Sequence, residues 1–405
     1  MNNFLVAIGV FLIVVLGALF AVPAFVDWNG YRGVFEEEAS RVLGREVRVG
    51  GAVNLRLLPS PYFRFEKVRI ADAPGVAGQP FIRADSLTVW LAVPPLLRGV
   101  VEANDIEIEK PVVNIGFDKS GAGNWQSLGQ GSTASIYLPR DISLQSLKLR
   151  QATVTLRGSD GGQGLRLEDL NGELSAPALE GPYKFRGTFG AGQQNEIRFA
   201  TAKPEPDGAV RFKGSVRIDS AGPTYALDGR LVDPMGTPRI DGELTATIPV
   251  SAPGASAAAG VAVPVDTPAF EFKAALDGHA GGATLQNIAL TFEQGGRPQL
   301  LSGGARVDWS SRLAINADLT SRWLDLNRVL GLREGDRPLD ALLAFAGRLG
   351  GALPADATTT ATIAVDQANL GSDSISGLRL GVTKSADRLA ITELSAGLPG
   401  GTQVE

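Results

Sequence analysis

The sequence contains no cysteine among its 405 residues, only one histidine and only two methionines. The lack of cysteine excludes disulfides, thiol nucleophiles and zinc–thiolate sites. A single histidine excludes the two-histidine zinc motifs and allows at most one Ser-His-Asp arrangement. That residue, His279, lies in the glycine-rich stretch "DGHAGGA" and is typical of a solvated loop. A net charge of −5 argues against a nucleic-acid surface.

The usual motifs of catalytic and phosphate-binding sites are also missing. The glycine-rich pieces "GAGNW" and "GGQG" have neither the full G-x-G-x-x-G pattern nor a G-K-[ST] ending, so tight turns are predicted there. No G-x-S-x-G nucleophile motif is present. The acidic run Glu36 to Glu38 fits one solvated helix face. We therefore predict no enzymatic activity, no catalytic residue, no metal site and no cofactor.

The longest apolar run lies at the start of the chain. Residues 4–26 carry no charge and, as a helix, would extend roughly 34 Å, enough to cross a bilayer core. A cleaved signal peptide would have a shorter apolar region preceded by basic residues, and "MNN" has none. We predict that residues 1–28 form an uncleaved inner-membrane anchor. The few flanking basic residues give little topological signal; a cytoplasmic N-terminus and a periplasmic body are predicted.

A short helix is predicted directly after the anchor, in "NGYRGVFEEEASRVLGR". Asn29 is the expected N-cap and Gly44 the expected end of the helix. Its apolar residues fall near one stripe that can pack on the first strands. They are Tyr31, Val34, Phe35, Ala39, Val42 and Leu43.

Most of the remaining sequence alternates between apolar and polar residues, which is typical of strands with one dry and one wet face. Glycine is frequent, at 50 residues, as expected for many turns. Helices sufficient to cover so many dry faces are not predicted. Three architectures remain open: a two-sheet sandwich, a closed barrel, or a long curved sheet around its own apolar face.

The predicted domains follow this pattern. After the anchor come a helix-plus-strand domain at 29–135, further strands at 136–248, and a flexible linker at 249–268, which is rich in alanine, proline and glycine. Residues 269–405 are predicted to hold more strands, with short helices in "LDLNRVLGL" and "PLDALLAFAGRL". The last residues, "PGGTQVE", resemble the start of another strand, so we expect the sequence to be part of a longer chain.

Several segments, in order, resemble the AsmA family of inner-membrane-anchored envelope proteins. They are "LGREVRVGGAVNLRLLPSPYFRFEKVRIADAPG", "LTVWLAVPPLLRGVVEANDIEIEKPVVNI" and the turn "DKSGAGNW". From about residue 300, "GGARVDW", "RWLDLNRVL" and "LSAGLPGG" resemble the later repeats of the family. The motif positions, all expected to be structural, are Gly44, Arg45, Gly51, Pro59, Pro111, Asn124 and Trp125.

The resemblance implies a mostly β fold: an N-terminal transmembrane helix, a short helix, and an elongated, curved, mainly antiparallel β-groove with an apolar concave face. It implies that the protein binds or conducts phospholipid towards the outer membrane, with an unidentified outer-membrane component as a further partner. The alternative is control of outer-membrane protein assembly by strand addition at a sheet edge. Alternating apolar pairs supply the lipid-groove candidates: Val89, Leu91, Ile106, Ile108, Leu147 and Leu149.

Overall fold

The structure is a computed structural model, and it describes most of the chain from residue 26 onwards. The described residues are 26–57, 60–73, 79–92, 94, 103–118, 122–126, 128, 144–157, 166–176, 181–249, 269–294, 297–310, 313–330, 332, 337, 340–341, 357–371, 373–385 and 388–404. They form two compact units. Almost all described residues up to Glu205 belong to the first unit, and those from Pro206 onwards belong to the second.

The first unit begins with a helical segment in two parts. A 3₁₀ turn (Trp28–Tyr31) leads into the α-helix α1 (Arg32–Leu43), which ends at Gly44 in the left-handed conformation. The predicted helix and its glycine C-cap are therefore confirmed. The predicted N-cap is wrong: Asp27 caps the 3₁₀ turn by accepting from the Asn29 N–H, while the Asn29 side chain accepts from the Val53 N–H.

Ten strands make up the rest of the described first unit. They are β1 (Val47–Val49), β2 (Val53–Arg56), β3 (Tyr62–Ile70), β4 (Ile82–Leu91), β5 (Ala103–Glu109), β6 (Val112–Gly116), β7 (Leu144–Arg157), β8 (Arg166–Ala176), β9 (Lys184–Phe189) and β10 (Asn195–Thr201). A short 3₁₀ turn (Ala191–Gln193) joins the last two. β1 and β2 both pair with β3, and β5 and β6 both lie between β4 and β7.

Four described residues of the first unit that are not glycine adopt left-handed backbone conformations, and three of them lie near matching levels of the sheet. Lys67 on β3, Lys110 between β5 and β6, and Gln151 on β7 have φ values of 54°, 47° and 52°. Lys67 lies between Glu66 and Val68, which pair with Ser86 and Ala84 of β4, and Lys110 and Gln151 directly follow the paired residues Glu109 and Arg150. Such residues accompany bulges that bend a strand. The strands of the first unit are therefore interrupted together rather than independently.

The second unit contains eleven described strands and one short helix. They are β11 (Val210–Arg217), β12 (Thr224–Val232), β13 (Arg239–Ile248), β14 (Phe270–His279), β15 (Gly282–Gln294), β16 (Arg297–Asp308), β17 (Ala314–Asp325), α2 (Leu326–Val329), β18 (Thr358–Leu370), β19 (Asp373–Ser385), β20 (Arg388–Gly397) and β21 (Gln403–Val404). Each strand from β11 to β16 pairs with the next as an antiparallel neighbour, which explains the alternation of its sequence.

One connection in the second unit crosses the sheet. β17 and β18 pair in parallel, so the chain between them must cross over one face. The first part of this crossover is α2, which confirms the helix predicted in "LDLNRVLGL". Its Leu326 and Val329 pack on a buried apolar cluster, which we call the α2 cluster. Its members are Phe292, Leu324, Val365, Ala368 and Ile375.

The fold class is confirmed as mostly β and mainly antiparallel, with three parallel pairings among those described. Among the described residues, no helix is both long and apolar enough for a membrane span. The anchor run lies outside these residues except for Val26, as do Pro59, the linker after Pro249 and most of "PLDALLAFAGRL". The anchor, the linker, the domain bounds and the concave groove stay predictions.

Candidate functional site

The six lipid-groove candidates lie on three strands that are neighbours in the first unit. Val89 lies opposite Ile106, and Ile106 lies opposite Leu147. Ile108 lies opposite Leu149 in the same way. Directly opposed residues project from the same side of a sheet, so these five side chains form one patch. Leu91 follows two residues after Val89, and it is buried, at 7% exposure.

The patch belongs to two longer apolar rows that cross eight strands. The first row is Leu55, Phe63, Val89, Ile106, Leu147, Leu174, Phe185 and Phe199. The second row is Val53, Phe65, Leu87, Ile108, Leu149, Gly172, Gly187 and Ile197. Successive members of each row are adjacent across the sheet. We call the two rows together the first apolar face.

The two glycines of the second row are covered by an aromatic ring. A Cβ atom at Gly172 would lie 2.5 Å from Cζ of Phe185, and one at Gly187 would lie 3.0 Å from the same atom. The Phe185 ring therefore occupies the space that side chains would fill elsewhere in the row. This keeps the face apolar across β8 and β9, although two of its positions have no side chain.

The first apolar face is neither a closed core nor fully exposed. Val89, Ile106, Leu147, Leu174 and Phe185 are all half-buried. Phe199, on β10, is 38% exposed. Residues between the two sheets of a sandwich are usually almost fully buried. The half-exposed rows therefore present an accessible apolar surface rather than an interior.

The helix α1 covers one end of the first apolar face. The ring of Phe35 lies 5.5 Å from that of Phe63 and 5.4 Å from that of Phe65, edge-on to both. The predicted packing of the helix on the first strands is confirmed for Phe35 and is wrong for Tyr31 and Val34, which are 51% and 55% exposed. The half-exposed part of the face begins beyond them, from β4 to β10.

The second unit has an equivalent surface, the second apolar face. One of its rows crosses six strands through Val216, Tyr225, Ala246, Phe272, Leu290 and Leu301. Four of these side chains are half-buried, Ala246 is buried, and Tyr225 is 37% exposed. The α2 cluster lies at one end of this face, where Leu301 packs against it.

The opposite side of the second sheet is charged. Lys213 contacts Asp228 at 2.6 Å, and Lys273 contacts Glu243 at 2.8 Å. Arg239 and Asp277 are 3.8 Å apart. All six side chains are about half exposed or more. The sheet therefore has one solvated, ion-paired side and one apolar side, as the alternation predicts.

Several family-motif positions converge on a buried arginine. The side chain of Arg45 is 1% exposed, and its guanidinium donates to the backbone oxygens of Ala71 and Asn124. It lies 3.9 Å from the Asp72 carboxylate and 5.0 Å from the centre of the Phe81 ring. Burial lowers the pKa of Arg45 from its ordinary value, and the charge of Asp72 opposes that shift.

Asn124 completes this network from the "GNW" turn. Its side-chain NH₂ group donates to the Asp72 carboxylate and to the backbone oxygen of Asn114, both at 2.9 Å. Its side-chain oxygen accepts from the Gly116 N–H. The next residue, Trp125, packs edge-on against Phe117 at 5.3 Å. The Gly-Arg and Asn-Trp motifs, almost eighty residues apart, therefore hold one structure together. Asp72 and Asn114 were not predicted, because alternation carries no signal for buried polar contacts.

Two further motif positions have packing reasons. A Cβ atom at Gly51 would lie 2.5 Å from Cβ of Glu66, so the close approach of the β1–β2 turn to β3 requires glycine. Pro111 is fully buried between β5 and β6. Gly44 terminates α1, as described above. The described motif residues thus have structural roles: they cap a helix, allow close packing or join segments by hydrogen bonds.

The fold and its two apolar faces define a class: a β-sheet protein whose strands expose apolar rows on one side. A family model described as the AsmA family matches residues 2–206. That match covers just over half of the 405 residues, so the chain belongs to the AsmA family. It ends one residue beyond the first compact unit. A comparison with curated proteins gives no match.

Family membership fits a role in cell-envelope biogenesis by a membrane-associated protein. The AsmA family is not known for enzymatic activity. Among the described residues, no group of three or more histidine, aspartate or glutamate side chains is placed to hold a metal ion.

Proposed function

We propose that the chain is a non-enzymatic, inner-membrane-anchored protein whose periplasmic β-sheets bind phospholipid acyl chains and conduct them towards the outer membrane. The observation that carries this proposal is the first apolar face, with its in-register rows of half-exposed aliphatic and aromatic side chains. Extended accessible apolar surfaces of this kind mark binding sites in soluble domains.

The dimensions of the face suit acyl chains. Neighbouring strands are about 4.8 Å apart, so a row across eight strands extends roughly 34 Å. The hydrocarbon core of a bilayer is about 30 Å thick, so one leaflet's acyl chains occupy about 15 Å. About three to four strand steps therefore accommodate one chain lying across the strands. Each CH₂ group removed from water contributes about 0.8 kcal/mol, which favours binding along the whole row.

The uniformity of the rows favours movement along the sheet over tight binding at one place. Each step across the sheet exchanges one aliphatic or aromatic neighbour for another, so the free energy of a bound chain changes little between steps. The opposite side of the described strands of the second unit carries exposed ion pairs, which do not favour an acyl chain. The lipid would therefore follow the apolar side, with its headgroup kept towards water.

Lipid copurification tests this proposal with two variants of adjacent residues. Leu174→Asp places a charge in the first row, whereas Ser175→Asp places it on the opposite side, across from Lys184. We expect phospholipid in native mass spectra of the parent and of Ser175→Asp, and at least about a tenfold loss in Leu174→Asp. Equal lipid content in both variants, or none in the folded parent, would refute the proposal.

One observation favours a second candidate function, the templating of outer-membrane protein strands. Among the described residues, β20 has a partner on its far side only at Ala396 and Gly397. Leu389 and Ile391 of β20 are 38% and 39% exposed. An exposed strand edge can accept an added strand. Crosslinking of an unfolded outer-membrane protein at Ile391, combined with no lipid at Leu174, would favour this function over lipid transport.

A further inference from the structure

The first turns of the helical segment expose apolar side chains next to the predicted anchor. Tyr31 is 51% exposed and Val34 is 55% exposed. The Trp28 and Tyr31 rings lie 5.9 Å apart. Single exposed apolar residues are common on protein surfaces, but here two of them lie within one helical turn and an aromatic pair adjoins them.

A cation without an ionic partner lies in the same turn. Arg32 donates one hydrogen bond, to Oδ1 of Asn29 at 3.2 Å, and forms no ion pair with any acidic residue that the structure describes. Its Nε atom is buried and has no hydrogen-bond partner there. Arg41, on the same helix, differs because it contacts both Glu37 and Glu38. Among the described residues the charge of Arg32 is therefore not neutralised by an ion pair, and an external anion can supply one.

The position of this surface in the sequence identifies its partner. The charge-free run of residues 4–26 ends two positions before Trp28. Tyr31 is five residues beyond that run, within at most about 18 Å along the chain. Tryptophan, tyrosine and arginine are the side chains that favour the interface between hydrocarbon and water. A phospholipid surface supplies both an apolar layer and phosphate anions.

We propose that the surface formed by Trp28, Tyr31, Arg32 and Val34 docks into the phospholipid headgroup layer of the anchoring membrane. Tyr31 and Val34 enter the interfacial layer, and the Arg32 guanidinium binds a lipid phosphodiester. The inference rests on the membrane anchor included in the proposed function. Because Phe35 packs on Phe63 and Phe65, the docked helix also holds the first apolar face at the membrane surface.

The absence of cysteine allows site-specific labelling of the full chain in lipid nanodiscs. A bimane fluorophore is attached at Val34→Cys, at Leu12→Cys inside the anchor run, or at Met235→Cys, whose native side chain is 67% exposed in the second unit. Phosphatidylcholine brominated near the headgroup serves as the quencher for positions 34 and 235, and phosphatidylcholine brominated further down the acyl chain serves for position 12. We expect quenching at positions 12 and 34 and none at position 235.

The outcomes separate the docking from the anchor. Quenching at position 12 without quenching at 34 would overturn the docking and leave the anchor standing. No quenching at either position would overturn both. Equal quenching at 34 and 235 would show general adsorption and would also overturn the docking.

The role of Arg32 is tested with the label at position 34 in nanodiscs containing phosphatidylglycerol. Arg32→Gln should lower the ratio of docked to undocked helix about fivefold. Arg32→Lys should retain most of the docking, and the matched control Arg41→Gln should leave it unchanged. Equal docking in the parent and in Arg32→Gln would overturn the phosphate contact.

Discussion

Both units form strands with one apolar side, but different interactions stabilise them. The first combines bulged strands, left-handed residues at matching levels and a buried arginine network that ties α1 to the "GNW" turn. The second also contains bulges, one of them at left-handed Asn287, but it combines them with surface ion pairs and the apolar α2 cluster. The match to the AsmA family ends where the first unit ends. The motif positions that the structure explains lie in the first unit, because its buried polar contacts demand particular residues whereas alternation accepts many.

The largest expected difference between the units is in the free energy of unfolding after an apolar residue of each is replaced by aspartate. Val365 is 2% exposed in the α2 cluster, so Val365→Asp should reduce the free energy of unfolding by about 4 kcal/mol or more. Ile106 is half-buried on the accessible face, so its aspartate can remain partly hydrated, and Ile106→Asp should cost under about 2 kcal/mol. Urea unfolding followed by circular dichroism measures both. Equal losses would mean that the first apolar face is a closed core.

Substitutions in the buried Arg45 network of the first unit should cause the next largest loss of stability. Arg45→Met leaves the Asp72 carboxylate without its cation and two carbonyls without a donor, so a loss of about 3 kcal/mol is expected. Arg48→Met is the control, because Arg48 is 65% exposed and its ion pairs, with Glu36 and Glu46, lie at the surface. Little change in unfolding is expected for the control. A similarly small effect of Arg45→Met would show that the network does not hold the unit together.

Alanine substitutions at two glycines of the first unit should change its stability in opposite directions. Gly172→Ala would force its Cβ into Phe185 and should cost about 1–3 kcal/mol. Gly33 lies in α1 with nothing within 4 Å of a Cβ, so Gly33→Ala should stabilise the helix by up to about 1 kcal/mol. Combining Gly172→Ala with Phe185→Leu should recover part of the loss in thermal unfolding. A neutral Gly172→Ala variant would show that the ring does not fill this space.

The smallest effect is expected on the charged side of the second unit. Lys273 and Glu243 are 62% and 49% exposed, so Lys273→Gln should change stability by under about 1 kcal/mol. The difference should also shrink as salt is raised, because exposed pairs are screened. A loss as large as that of Arg45→Met, measured by the same urea titration, would contradict the contrast between the two units.

Alternation in the sequence identifies most strands and which residues share a face within each strand. The sets Ile106 with Ile108 and Leu147 with Leu149 were predicted from it. Alternation cannot show which strands are neighbours, because pairing depends on contacts far apart in sequence. The parallel pairings of β5 with β7 and β17 with β18 were therefore not predicted.

The bulges did leave a signal in the sequence. The apolar positions shift by one between Phe65 and Val68 and between Leu149 and Ala152, on either side of left-handed Lys67 and Gln151. An extra residue in a strand produces such a shift. The Arg45 network left no periodic signal, and only the family resemblance pointed to Arg45 and Asn124. The partners Asp72 and Asn114 required the structure.

The central claim is that the apolar side of both sheets carries lipid, and site-specific photo-crosslinking tests it most directly. A photoreactive amino acid is placed at Leu147 or Lys148 in the first unit and at Phe272 or Lys273 in the second, in the full chain within membranes. The two members of each pair are neighbours that project from opposite sides of one strand. The account predicts phospholipid adducts at Leu147 and Phe272 and none at the lysine positions. Adducts on both sides alike, or on neither, would contradict it.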